Sequence, residues 1–167
     1  MRFDNDISVV APSVFTEKYS EAEVLGAITW LWGQSDYYKT ISIESMLDLV
    51  LKIIKSKQFA LFSHKGKPIG YLVWAFMTEQ DEADYLQSGG MIDAFIGHNN
   101  GSKLWILSIH CPADYFSKRK IVSLSRSYLF PNKDVYSLYH RGKEKGFKIM
   151  KLQTAKPTPI YSSQTKL

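Results

Sequence analysis

The run Gln58-Phe-Ala-Leu-Phe-Ser63, followed by His64-Lys-Gly-Lys-Pro68 and Ile69-Gly-Tyr-Leu-Val-Trp-Ala-Phe-Met77, decides the fold. Two stretches rich in aromatic and β-branched residues flank a short segment containing Gly66 and Pro68, the pattern of a β-hairpin. Upstream, Ile43, Met46, Leu47, Val50, Leu51 and Ile54 recur at helical spacing from Ser42 to about Lys55, and Lys52, Lys55 and Lys57 suit a helix C-terminus. An earlier helix is expected from Ser20, where Ser20-Glu-Ala-Glu23 has capping-box spacing. Its apolar stripe is Val24, Leu25, Ile28, Leu31 and Trp32, and Gly33 terminates it.

Downstream, Thr78 caps an acidic-headed helix through about Leu86, and Gly89-Gly90 breaks it before the loop Gly97-His-Asn-Asn-Gly101. Lys103-Leu-Trp-Ile-Leu-Ser-Ile-His110 is apolar on both faces and belongs inside a sheet, with Cys111-Pro112 ending it. A helix from about Ala113 to Tyr128 follows. Asp134 to His140, a turn through Arg141–Gly146 and Phe147 to Leu152 then read as a second hairpin. The predicted order α, α, β, β, α, β, α, β, β is that of an α/β (α+β) protein. It suits an N-acetyltransferase-like (GNAT-like) fold, a mixed, largely antiparallel sheet with helices on its faces.

The chain has 167 residues, 45% of them hydrophobic and 14% aromatic, with 10 Gly and 6 Pro, which excludes a disordered, collagenous or coiled-coil description. One domain over 1–153 is expected, with a polar, aperiodic tail over 154–167. Lys and Arg outnumber Asp and Glu by 21 to 16, a formal charge of +5, which suits an acidic partner such as a phosphopantetheine carrier. No nucleic-acid-binding signature accompanies the charge. Cys111 is the single cysteine, no window reaches 18 apolar residues, and the first residues lack a basic segment followed by an apolar core. A reducing, cytoplasmic setting without a membrane span follows as the expectation.

The segment Glu23-Val-Leu-Gly-Ala-Ile-Thr-Trp-Leu-Trp-Gly-Gln-Ser35 resembles the N-terminal signature of the RTX toxin-activating lysine acyltransferases, the hemolysin-activating type. In that signature a Leu-Gly and a Trp-Leu-Trp precede a serine and a catalytic histidine. Phe59 to Ser63, Pro68 to Ala75 and Glu82-Ala-Asp-Tyr-Leu86 are similar to the family's hairpin and acidic helix. Lys103-Leu-Trp105 with Cys111-Pro112 resembles the strand carrying its catalytic aspartate, and Phe130-Pro131 matches a Phe-Pro after the next helix, so the resemblance runs from about residue 20 to 150. It implies transfer of a fatty acyl group from acyl carrier protein to a lysine of a protoxin, with the carrier-linked or otherwise activated donor as co-substrate and no tightly bound cofactor.

Carried over position by position, the resemblance puts the family's histidine at Tyr38, its aspartate at Ser108 and its serine at Ser35. Both charged catalytic groups are replaced. A phenol with a pKa near 10 is a poor base at neutral pH, and a serine cannot stabilise an imidazolium as a carboxylate does. Ser108 and His110 share a face of their strand, about 6.6 Å apart, so His110 is a candidate displaced base; the alternative is a buried histidine satisfied by a carbonyl. Ser35 is either a catalytic orienter or a helix-end hydroxyl. Ser35, Tyr38, Ser108 and His110 therefore form the expected catalytic set. His110 and Cys111, neighbours on a strand, point to opposite faces and make no dyad. His64, His98 and His140 lack metal-ligand spacing, so no metal is expected. The aromatic side chains of Trp30, Trp32, Trp74 and Trp105 are expected in the core, and Lys118-Arg119-Lys120 with Arg126 forms either a carrier-docking surface or a solvated face.

Three functions fit these residues. The first is a diverged acyltransferase acting on a toxin or bacteriocin precursor peptide. The second, implied by relatives of the resembled family, is a siderophore-microcin maturation subunit that helps a larger partner join a glycosylated catechol siderophore to a C-terminal serine. The third is a non-catalytic binding or immunity module on the same fold. The replaced dyad, the basic charge and the tail lead to the expectation of a complex, either a hetero-oligomer with a larger maturation protein or a homodimer.

Overall fold

The computed structural model describes residues 1–3, 6–112, 114–138 and 149–153. Its centre is a seven-stranded sheet in simple chain order, formed by β1 (Arg2–Phe3), β2 (Ile7–Val10), β3 (Phe59–His64), β4 (Lys67–Met77), β5 (Lys103–His110), β6 (Asp134–Leu138) and β7 (Ile149–Gln153). All neighbours are antiparallel except β5 and β6, which pair in parallel. A parallel pair needs a long crossover, and α4 (Tyr115–Leu124) supplies it. The architecture is the mixed, mostly antiparallel α/β sheet expected.

The hairpin is tighter than its composition suggests. Lys65 and Gly66 both have positive φ, 50° and 78°, which gives β3 and β4 the two-residue turn whose twist matches paired strands. Pro68 is accommodated because the register shifts between Phe62 and Ser63, leaving Ile69 as the extra residue.

The two sheet faces are buried separately. On one, α1 (Glu21–Trp32), α2 (Ile43–Ser56) and α3 (Glu79–Gln87) cover Phe59, Leu61, Tyr71, Val73, Ala75, Met77, Trp105 and Leu107. On the other, α4 and the π-helical turn Ser125–Leu129 cover Ala60, Phe62, Leu72, Trp74 and Leu104 together with Ile7 and Val9 of β2. Caps fix the helix starts. Ser20 accepts from the Glu23 N–H and Ser42 from the Ser45 N–H, while the reciprocal box forms at Thr78 and Asp81.

Three expectations need correction. β1 and β2 were not foreseen, since Ile7-Ser-Val-Val10 offers only two inward positions, Ile7 and Val9. The helix expected over Ala113–Tyr128 is α-helical only from Tyr115 to Leu124. It continues as a π turn where Ser125 donates its hydroxyl to the Ile121 carbonyl, 2.7 Å away. Trp30 is 55% exposed, with the Lys67 ammonium 6.0 Å from its ring centroid, whereas Trp32, Trp74 and Trp105 are buried. The remainder of the second hairpin, including His140 and the turn, and the expected tail over 154–167 lie outside the described residues. No helix among the described residues is long and apolar enough to cross a membrane.

Candidate active site

Where the C-terminal end of α1 meets the first half of β4 and the last residues of β5, side chains distant in sequence converge. Val24, Ile28, Leu31 and Trp32 seat α1 on the sheet, and beyond its C-cap Gly33 the chain reaches a 3₁₀ turn at Tyr38–Thr40. The Tyr38 ring stacks on the Trp32 indole at 4.5 Å between centroids and 26° between planes. The Trp32 Nε1–H donates to the hydroxyl of Tyr71 on β4, 2.8 Å away and buried.

A β-bulge brings β5 into the cluster. Tyr71, Leu72 and Val73 pair with His110, Ile109 and Ser108, but Trp74 pairs with Ile106, so Leu107 is the extra residue. Strict alternation from Trp105 and Leu107 would send Ser108 and His110 to the face covered by α4. The bulge puts them on the face of their partners Val73 and Tyr71, a re-aiming that bulges perform next to functional sites. His110 then meets Tyr38 edge to face, with centroids 4.9 Å apart, and lies 5.7 Å from the Tyr71 ring.

The cluster is neutral near pH 7. Burial raises the pKa of Tyr38, opposed by the hydroxyls of Ser108 and Tyr71; burial, first of its causes, drives that of Tyr71 far above the phenol range. Neither phenol is a base there. His110 is held below its ordinary value, first by burial and further by the Lys118 charge, with the Leu31 carbonyl acting in opposition. Its Nε2 lies 3.2 Å from the Leu31 oxygen. A carbonyl only accepts, so Nε2 carries the proton and Nδ1 the free lone pair.

Of the four expected site residues, Tyr38, Ser108 and His110 are thus neighbours across some 70 residues of chain. Ser35 is adjacent in a different sense: its Oγ accepts from the Tyr38 N–H at 3.4 Å, holding the turn. The carbonyl contact foreseen as the alternative for His110 is present. Trp32 and Tyr71 escaped the sequence reading as site residues. The one available signal was that Tyr71 belongs to the hairpin strand beside Lys103–His110. On α4, Lys118 and Arg119 are exposed and Lys120 half-buried, and Arg126, exposed, lies in the π-helical turn that follows. Among the described residues no group of three His, Cys, Asp or Glu could hold a metal ion.

The chain is 30% identical over 93 residues to the RTX-II toxin-activating lysine-acyltransferase of Actinobacillus pleuropneumoniae, covering 56% of this chain and 58% of that one. It is 28% identical over 127 residues to a leukotoxin-activating lysine-acyltransferase of Mannheimia haemolytica, covering 74% and 72%. It is 33% identical over 64 residues to the protein-lysine myristoyltransferase of Escherichia coli, 38% of each. Two of these three alignments, the first included, span less than two thirds of the relative's length. The profile of the HlyC, or RTX toxin acyltransferase, family matches residues 17–153. By that match, over most of its length, the chain belongs to the RTX toxin acyltransferase family.

Proposed function

We propose that this protein transfers an acyl group from an activated donor, a carrier-linked thioester, to a bacterial toxin or bacteriocin precursor protein. The observation that carries the reading is the meeting of Tyr38 and Ser108. The resemblance assigns these two positions to the family's histidine and aspartate, and they adjoin each other and His110 in one half-buried cluster. The family's relatives are named for acylating toxin lysines, which makes a lysine amine the first acceptor to test. Lys118 and its basic neighbours on α4 adjoin the same end of the sheet and suit an acidic carrier. Incubating the protein with acyl-loaded carrier protein and the precursor encoded beside its gene, and reading intact mass, tests the proposal. A precursor whose mass never changes refutes it.

The replacement of both charged family residues favours a second reading, in which the chain is a siderophore-microcin maturation subunit and a larger protein completes the site. Omitting components one at a time from a co-expressed set separates the two. Full-rate modification by this chain alone excludes partner dependence.

A further inference from the structure

We infer that His110 is the general base of this site, an imidazole that stands on β5 in place of the one the family carries at the Tyr38 position. The inference rests on the acyl-transfer reading above and adds to it the group that moves the proton. Four observations support it. The Leu107 bulge turns His110 onto the face of Tyr71 and Tyr38. The His110 ring centroid lies 4.9 Å from that of Tyr38, one ring away from where the resemblance puts the family's histidine. The Nε2–H is committed to the Leu31 carbonyl, which holds the ring and leaves Nδ1 as the unprotonated nitrogen of the neutral imidazole. Gly70, next to Tyr71, leaves no room for a side chain, since a Cβ there would stand 2.7 Å from the His110 carbonyl oxygen; β4 is thereby drawn tight against the residue in question.

The proton inventory is short. Groups acting on His110 among the described residues are Tyr38 from the 3₁₀ turn, Tyr71 from β4 and Lys118 from α4. Both phenols hold their protons near pH 7, and Lys118 acts on the ring only through its charge, so the imidazole is the group of this cluster able to accept. In the step, the neutral amine of the acceptor attacks the thioester carbonyl carbon. The C–N bond forms as the amine proton passes to Nδ1. The C–S bond then breaks, the imidazolium returns that proton to the departing sulfur, and amide and free carrier thiol result.

The variant His110→Gln separates catalysis from folding, because its amide N–H can keep the bond to the Leu31 carbonyl while offering no lone pair that titrates near neutrality. The assay is single-turnover transfer from fatty acyl-loaded acyl carrier protein to the neighbouring precursor, across pH 5 to 8, with melting temperature recorded for each variant. The expected result is a 10²-fold or greater loss of rate for His110→Gln, at a melting temperature close to wild type. The acidic fall of the wild-type profile, set by imidazole protonation, should also disappear. Tyr38→Phe should retain that fall. A His110→Gln protein that transfers at the wild-type rate with the wild-type pH profile overturns the inference and leaves the transfer reading standing; a silent wild type under every donor overturns both.

Discussion

Substituting alanine at two glycines should move stability in opposite directions. Gly26 lies inside α1, exposed, and a methyl group added there would find nothing within 4 Å, whereas a Cβ at Gly70 meets the His110 carbonyl oxygen and Ile121 Cδ1 at 2.7 Å and Cys111 Cβ at 3.1 Å. Non-bonded carbons rest at about 3.5–4.0 Å. Ile121 can turn its terminal methyl, but the His110 oxygen is backbone and retreats only if β4 and β5 splay. Overpacking of that kind costs about 1–3 kcal/mol, against a gain of about 0.4–1 kcal/mol from the stiffer unfolded chain. The net is a loss of about 0–2.6 kcal/mol, centred near 1.3 kcal/mol, or a fall of about 3–5 °C in melting temperature at that centre for this chain length. Gly26→Ala should raise stability by about 0.5–1 kcal/mol, since glycine within a helix is disfavoured by that amount. Thermal unfolding by circular dichroism reads both, and amide exchange at His110 and Cys111 should accelerate in Gly70→Ala alone. If Gly70→Ala melts at or above wild type, the close approach of β4 to β5 is wrong, and with it the placement of His110.

Tyr71→Phe keeps the ring but leaves the Trp32 Nε1–H buried without its acceptor, which should cost about 1–3 kcal/mol; unchanged urea unfolding would exclude that hydrogen bond. Asp81→Ala removes the acceptor for the Thr78 N–H and hydroxyl and the partner of His98, so a loss of about 0.5–2 kcal/mol is expected from the missing cap, measurable in the same way. Because the folded state holds His110 below its unfolded value near 6.5, the unfolded chain binds more protons just below that pH. His110 thus makes stability rise with pH up to about 6.5 and adds no slope above it, so His110→Gln should flatten the difference between melting curves at pH 5 and 7.

The legible parts of this fold are those where pattern and burial agree over many residues. Phe59–His64 and Lys67–Met77 contain enough consecutive strand formers, and Lys65-Gly66 enough turn chemistry, that no tertiary contact was needed to see the hairpin. Trp30 shows the opposite case. The stripe Val24, Leu25, Ile28, Leu31 and Trp32 already excludes it from the buried face of α1, yet its size suggests core. The period prevails and the ring lies outside. β1 and β2 were hidden because two and four residues carry almost no periodic signal, and Ile7 and Val9 are buried through pairing with β3 and contact with the α4 side.

The candidate site was half legible for a related reason. That Ser108 and His110 share a face follows from strand alternation, but which face depends on the Leu107 bulge, and Ile106-Leu-Ser-Ile109 contains no glycine or other residue type to announce it. The bulge changes the chemical sense of the strand: without it, Ser108 and His110 would look toward α4, and the cluster around Tyr38 would lack its imidazole. A buried charged pair is costly unless fully compensated, and the pair Tyr38 and Ser108 avoids that cost by being neutral in both members. Packing around Trp32 and Tyr71 therefore holds the site without any charge to stabilise it, and the group proposed to move the proton is an imidazole two residues further along β5, on the same face.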